Sequence, residues 1–415
     1  MSSENTFLSE LNLYQKLRDE IASDPSLLKL AKRIYRKTMS SQSVRSYVKS
    51  VLVFTKFLGV SKPVKALKMN YDWQSMINEW IDDLIADGVS PGTIRTYVAH
   101  VKKWLKVNLS KDEWDKIDWR EMELPSSWKV EMDKIPQKVH LKILVDQANE
   151  KGKAIITTAI SSGLRIGTLI KLKIGNLKVY LNGEIKSILE YLDKPLPENA
   201  LGLIIISPEI TKERVNRYLT FTTREALRYI LDYLRKRRSI GEKLNENSVL
   251  FKSSRLKQYK DSDSATKFWR KLLAITGLKD KARKFHIYRF HSLRKYFSTW
   301  CRLAGINPDI CEFMLGHKQG VKSIYNLFGD PTNIAVISKL AEEYRKAIPA
   351  LTIFTEEEKI RELEKRIEEE VRKREEEIKK RDQIINELIR RMEKLTKELA
   401  ELKRKSKNLN YNYTW

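Results

Sequence analysis

Cysteine is almost missing from this chain: of 415 residues only Cys301 and Cys311 are cysteines. Two thiols supply neither a disulfide framework nor a metal-ligand set, which excludes a stapled secreted scaffold and a zinc module. Both read instead as small hydrophobes for a core. Long apolar runs are also missing. No stretch of eighteen such residues occurs, and Leu201 to Ile206 suits a buried strand better than a membrane span. The opening MSSENTFLSEL lacks the basic-then-apolar layout of a secretion signal. An intracellular protein with no membrane partner is expected. Glycine is sparse (15 residues) while Lys and Glu abound, a weak sign of a thermophilic source.

Positive charge is what the chain has in excess, a formal +26. Such a surplus attracts phosphate backbones without reading their sequence, and by itself it fits a ribosomal-type or merely lysine-rich protein equally well. Its placement says more. From Glu356 to Lys407 there are 18 basic and 16 acidic residues, a balance of +2, so the remaining +24 lies in the first 355 residues. A nucleic acid is expected there.

Residues 1–29 read as an N-terminal arm ending at a helix start, Ser23-Asp24-Pro25. Amphipathic helices follow over 30–114. Ser41 or Ser43 can cap one that carries Val44, Tyr47, Val48, Val51, Phe54 and Leu58 at helical spacing, closed by Gly59. Trp73, Met76, Ile77, Trp80, Ile81, Leu84 and Ile85 make a second stripe, closed by Gly88. Ser90-Pro91 opens a third. Val44-Arg45-Ser46-Tyr47-Val48 parallels Ile94-Arg95-Thr96-Tyr97-Val98 at an offset of fifty residues. Two readings stay open: similar helices with solvated outer faces, or helices that turn Arg45, Lys49, Arg95, Lys102 and Lys103 toward a DNA backbone.

Pro125, Ser126, Ser127 and Pro136 break the pattern over 115–137, as expected of a linker. Residues 138–350 mix helices with a few strands, at Lys178 to Leu192, Gly202 to Ser207 and Arg217 to Thr222. The expected fold is therefore mainly α with a small antiparallel sheet. The tail, 355–407, differs in kind. Val371, Ile378, Ile385, Met392 and Leu399 recur every seven residues, after an exception at Glu364. Ile360, Ile367, Leu388, Leu395 and Leu402 form the partner series, interrupted by Arg374 and Arg381. This is a coiled-coil pattern; a single solvated helix held by Glu–Lys pairs is the alternative.

Breaking a phosphodiester without a metal takes a nucleophile, cations around the non-bridging oxygens and an acid for the leaving oxygen. Four segments carry such groups. They are Ser161-Ser162-Gly163-Leu164-Arg165-Ile166-Gly167, the hairpin candidate Ile210-Thr211-Lys212-Glu213-Arg214, His291-Ser292-Leu293-Arg294, and Leu315-Gly316-His317 with Tyr325 eight residues later. In this order and spacing they resemble the catalytic domain of tyrosine recombinases, the phage integrases and Xer-type enzymes. The resemblance covers roughly residues 137 to 330, and the helices from about 30 to 110 resemble that family's core-binding domain with weaker motifs. One such motif is common by chance; four in sequence are not.

The resemblance implies roles. Arg165 and Arg294 would clamp the scissile phosphate, Tyr325 would attack phosphorus to give a 3′-phosphotyrosine, and Lys212 would protonate the leaving oxygen. His291 would assist proton transfer, and His317 would hydrogen-bond the phosphate. The bond energy is kept in the phosphotyrosine, so no metal, ATP or other cofactor is implied. The partner would be double-stranded DNA bearing a specific recombination site, bound by a tetramer to which the coiled coil adds contacts. The setting would be cytoplasmic and nucleoid-associated, in a prokaryotic or viral host cell, with viral genome or mobile-element integration, excision or replicon resolution as the outcome. Arg214 and Arg217 compete with Lys212, and Tyr288, Tyr296 and Tyr344 with Tyr325.

Two departures stand out. Thr168 occupies the position, three after the first arginine, where the family usually has an acid. The interval from His317 to Tyr325 is one residue shorter than in many members, as in a divergent archaeal or viral branch. Competing functions are an inactive DNA-binding protein on the same fold, a type IB topoisomerase, and an RNA-binding or structural coiled-coil protein. The last leaves the four motifs unexplained.

Overall fold

Residues 3–126, 134–211, 217–253, 259, 262–279, 288–317, 330–354 and 356–410 are described by the structure, a computed structural model. The chain divides into two units, Met1–Met132 and Asp133–Trp415. Lys212 and Tyr325 lie outside the described residues.

The first unit is helical: α1 (Ser3–Glu10), α2 (Gln15–Ala22), α3 (Pro25–Thr38), α4 (Ser41–Phe57), α5 (Pro63–Ala66), α6 (Trp73–Ala86), α7 (Pro91–Asn108) and α8 (Lys111–Asp115). Asp24 starts α3 as expected of an N-cap. Its Oδ1 accepts from the Ser26 and Leu27 amides at 2.9 and 3.1 Å, and its Oδ2 from Val64 N at 2.8 Å. A buried carboxylate satisfied in this way ties α3 to the start of α5. The apolar stripes of α4, α6 and α7 converge on Phe54, Trp80 and Trp104, all fully buried. The twin segments lie on α4 and α7, which pack on each other with the Tyr47 and His100 rings 3.8 Å apart. His100 shares a 2.8 Å hydrogen bond with Ser50, and burial holds its pKa below the ordinary value, the behaviour of a core histidine.

Three details differ from the sequence reading. From α1 onward the expected arm, residues 1–29, is packed, not separate: Leu8, Leu11, Leu13, Leu17 and Ile21 are buried in this unit's core, because α1 and α2 have an apolar face to cover. The cap of α4 is Ser40, whose Oγ accepts from Ser43 N, rather than Ser41 or Ser43. Part of the expected linker is anchored too, since Ile117 and Met122 are buried and Arg95 Nε donates to Pro125 O at 2.7 Å.

The second unit holds α9 (Lys138–Gln147), α10 (Glu150–Ser162), α11 (Ile166–Leu169), β1 (Leu177–Leu181), β2 (Glu184–Ser187), β3 (Leu201–Ile206) and β4 (Tyr218–Thr222). Then come α12 (Arg224–Ser239), α13 (Ser262–Ile275), α14 (His291–Leu303), α15 (Pro308–Met314), α16 (Ile334–Arg345), α17 (Ile348–Leu351) and α18 (Glu356–Asn410). The fold is mainly α with one four-stranded antiparallel sheet, order β2-β1-β3-β4. The stretch from Lys178 to Leu192 is not continuous strand. It turns at Asn182-Gly183, both at positive φ (48° and 90°), and ends in a 3-10 turn. A two-residue turn of that hand matches the twist of a hairpin.

Helix α10 is the central pillar, buried from Ala154 to Ser162 and packed against α12, α14 and β4. Its polar residues satisfy themselves along the helix: the Thr158, Ser161 and Ser162 hydroxyls each donate to a carbonyl four residues back, at 2.6 Å. Cys301 and Cys311 are fully buried in the same core. Glu225 accepts from the Ile353 and Phe354 amides at 2.7 and 3.0 Å, which anchors the chain just before α18. Along α18, Val371, Ile378, Ile385, Leu388, Met392, Leu395, Leu399 and Leu402 are exposed. Among the described residues no helix is long and apolar enough to cross a membrane.

Candidate active site

The last turn of α10 delivers the first motif. Ser162 O accepts from Thr220 Oγ1 at 2.9 Å and Ser161 O from Tyr344 Oη at 2.7 Å, so the carbonyls at the helix end are held by β4 and α16. Gly163 then leaves the helix at φ 65°, and a Cβ there would lie 2.4 Å from the Phe297 ring. Both the backbone and the space demand glycine. The chain emerges with Arg165 as the N-cap residue of α11, half-buried, its carbonyl accepting from Thr168 N and Leu169 N at 2.9 Å. Among the described residues no hydrogen bond or ion pair engages its guanidinium.

The third motif opens α14. His291 is the first helical residue and exposed; Arg294, one turn on, is 5 % exposed. Its Nη1 donates to Gly163 O and its Nη2 to Leu315 O, both at 2.6 Å, and Nη2 also meets His317 Nε2 at 2.8 Å. Arg294 therefore joins the first, third and fourth motifs through one side chain. Burial, followed by the Arg165 charge, brings its pKa down to about 10, against smaller opposing effects from Tyr218, Glu312 and Cys311.

The fourth motif follows α15. Gly316 takes φ 64°, and a Cβ on it would fall 2.6 Å from the Tyr218 ring. That left-handed step turns the chain back, so His317 N donates to Glu312 O at 3.1 Å. The His317 side chain returns to the same residue, with Nδ1 in a short hydrogen bond to Glu312 Oε2. Arg302 Nη2 donates to the other oxygen of Glu312 at 2.5 Å. A guanidinium only donates, so His317 Nε2 accepts from Arg294 and the ring proton sits on Nδ1, facing Glu312.

Arg165, Arg294 and His317 are thus brought together; His291 stands one turn before Arg294 on α14. Two residues at this site escaped the sequence reading. Glu312 is five positions before His317, a spacing with no motif signal. Tyr218 lies on β4 beside Gly316, and only strand register reveals it. Two of the rival tyrosines are committed elsewhere: Tyr296 Oη donates to Ala350 O at 2.9 Å, and Tyr344 is fully buried against Ser161 O. Tyr288 Oη shares a 3.3 Å contact with His140 Nδ1. Burial pushes the Tyr296 phenol up to about 12 and raises that of Tyr344 well above its ordinary value.

The five cations singled out in the first unit have different surroundings. Arg45 and Lys49 lie 5.4 and 5.8 Å from the Tyr14 ring centroid, and Lys102 lies 4.6 Å from that of Trp119. Arg95 is bound to Pro125 O. Lys103 is held below its ordinary pKa, first by burial and then by Arg33, Lys37 and Lys106, which marks a basic cluster across α3 and α7. Among the described residues, no group of three or more His, Cys, Asp or Glu residues could hold a metal ion.

Residues 132–326 match the model of the phage integrase family. No curated protein matches the chain. Among solved structures, the XerH site-specific recombinase bound to a palindromic difH substrate is 16 % identical, with 81 % of this chain and 93 % of that one covered, at a TM-score of 0.49. The Tn1549 transposon integrase in complex with transposon right end DNA is 14 % identical, covering 82 % and 98 %, at 0.47. The integrase from mycobacterium phage Brujita is 14 % identical, covering 80 % and 98 %, at 0.37. Residues 132–326 thus carry a phage integrase family domain, which marks a DNA-cleaving and rejoining enzyme.

Proposed function

We propose that the chain recombines DNA at a specific site through a 3′-phosphotyrosine on Tyr325, without metal or ATP. Arg165 and Arg294 clamp the scissile phosphate, His317 donates a further hydrogen bond once its Nε2 is protonated and released from Arg294, His291 assists proton transfer and Lys212 protonates the departing 5′-oxygen. The helical unit holds the duplex, with Arg45, Lys49, Arg95, Lys102 and Lys103 as candidate phosphate contacts. Subunits assemble as a tetramer on double-stranded DNA, and α18 self-associates along its apolar seam. Integration or excision of a mobile or viral element is the expected use.

The observation that carries this reading is the pairing of Arg294 with Arg165. Arg294 is nearly buried, and its pKa is brought to about 10 first by that burial and then by the Arg165 charge, so a second guanidinium beside it costs folding energy beyond what its hydrogen bonds to Gly163 O and Leu315 O require. An anion between them reverses the sign of that interaction, and a planar guanidinium pair suits the oxygens of a phosphodiester. The commitment of Tyr296 and Tyr344 to core carbonyls supports Tyr325 as nucleophile, since neither rival hydroxyl can reach a phosphate without unpacking the fold.

The test is incubation of the full-length protein with supercoiled plasmid and nicked duplexes, in EDTA and without ATP, beside Tyr325→Phe. A denaturation-resistant adduct mapped to Tyr325 and missing in the variant is the expected result. Scattered nicking with relaxation points to a topoisomerase, and tight binding with no adduct to a DNA-binding protein without catalysis.

A further inference from the structure

Tyr218 belongs to none of the four motifs, yet its position is specific. It opens β4, paired with Ile206 of β3, and shares one face of that strand with Thr220 and Thr222. Thr222 Oγ1 and Ser161 Oγ are 2.5 Å apart, and Thr220 Oγ1 donates to Ser162 O. That face of β4 therefore runs along the end of α10 toward Gly163, whose carbonyl accepts from Arg294. On another side the Tyr218 ring lies where a Cβ on Gly316 would sit, 2.6 Å away. The ring thus lies against the Leu315-Gly316-His317 turn, and Leu315 O is the other carbonyl that Arg294 holds.

The hydroxyl is the unusual part. Tyr218 is 5 % exposed, and its Oη is buried with no hydrogen-bond partner among the described residues. The Thr168 hydroxyl lies near enough for a weak interaction with it that falls short of ordinary hydrogen-bond geometry. Arg294 and Arg165 both act on it electrostatically, and both are donors only. They can offer hydrogens to the phenol oxygen but cannot accept its own. A tyrosine kept here for packing alone would be better replaced by phenylalanine, which fills the same space and buries no unpaired hydroxyl. Among the described residues no acceptor meets that hydroxyl with good geometry, and an oxygen of a phosphate held by the two arginines would.

We propose that Tyr218 is a further catalytic residue, whose hydroxyl donates a hydrogen bond to a non-bridging oxygen of the phosphate held by Arg165 and Arg294. This rests on the phosphate-clamp reading given above. The phenol serves as a donor and not as a second nucleophile, because the buried hydroxyl is kept in its protonated form by desolvation. It also places a neutral donor near Thr168, where the family usually carries an acid.

Inorganic phosphate is the probe, titrated at constant ionic strength against full-length wild type, Tyr218→Phe and Arg165→Ala, with affinity read from the rise in melting temperature. Tyr218→Phe is expected to melt no lower than wild type without phosphate, yet to bind phosphate about ten- to a hundredfold more weakly, the size of one hydrogen bond to a charged group. Equal affinity in Tyr218→Phe and wild type overturns the proposal. So does a lower melting temperature without phosphate, which would mean that the hydroxyl has a structural partner. If Arg165→Ala binds phosphate as tightly as wild type, the clamp reading itself fails. A loss in Arg165→Ala with none in Tyr218→Phe removes only the role of Tyr218.

Discussion

Arg294 Nη2 donates to His317 Nε2 at 2.8 Å, although 23 residues separate the two in the chain. The opposite edge of the imidazole is held by Glu312, which also binds Arg302. A buried guanidinium, a histidine and a carboxylate thus form a line in which each group orients the next. Glu312→Ala is expected to slow DNA cleavage about tenfold, because the imidazole loses the acceptor that sets its tautomer. Glu312→Gln keeps an acceptor oxygen and is expected to lose less. Single-turnover cleavage of a nicked duplex measures both, and equal rates in all three proteins would rule out the orienting role.

Arg294→Lys tests geometry against charge. Lysine keeps the positive charge but cannot reach Gly163 O, Leu315 O and His317 Nε2 with a planar fork. Cleavage is expected to fall by about a hundredfold or more, as when one donor to a developing charge is removed. A variant within threefold of wild type would show that charge alone suffices.

Glu242 contributes to acid stability. It bridges Arg237 at 2.6 Å and Lys252 at 2.5 Å, and the hydrogen bond from Arg237 leads in lowering its pKa to about 2. A carboxylate whose folded pKa is depressed stabilises the fold above its unfolded value and loses that contribution as pH falls through the folded one. The window therefore runs from about pH 4.5 down to about 2. Glu242→Gln leaves Arg237 buried without its ion pair and is expected to cost about 3 kcal/mol at neutral pH. In denaturant melts the variant should show a shallower loss of stability across that acid window than wild type.

Gly316→Ala strains the turn twice, through its left-handed backbone and through a Cβ set against the Tyr218 ring. The expected cost is about 1–3 kcal/mol in stability, accompanied by a loss of cleavage because His317 is displaced. Retained stability with normal cleavage would show that the Tyr218 ring can give way.

On α18 the exposed apolar seam is interrupted by Arg374 and Arg381. If two helices associate along it, Arg381→Leu should raise the melting temperature of the helical signal, and Leu388→Glu with Leu395→Glu should abolish self-association in light scattering. A wild-type chain that scatters as a monomer at every concentration would instead identify α18 as a single solvated helix.

Much of this protein is legible in its sequence, because the signals concerned are local. Asp24-Pro25 starts a helix, apolar residues recur at helical spacing on α4, α6 and α7, and a seven-residue period runs along α18. Gly163-Leu164-Arg165, His291-x-x-Arg294 and Leu315-Gly316-His317 are contiguous, so their chemistry can be read before folding. Asn182-Gly183 is a hairpin signal of the same local kind, and the strand reading passed over it. The tertiary structure decided what depends on residues distant in the chain. Whether α1 and α2 dangle or pack depends on a core assembled from α3 to α7. The meeting of Arg294 with Gly163 and His317 depends on how α10, α14 and α15 cross. Glu312 gains its role from a left-handed glycine that turns His317 back, and Tyr218 from the register of β4 against β3. Spacing along the chain encodes which face a side chain takes; which other groups that face meets is set only when the elements pack.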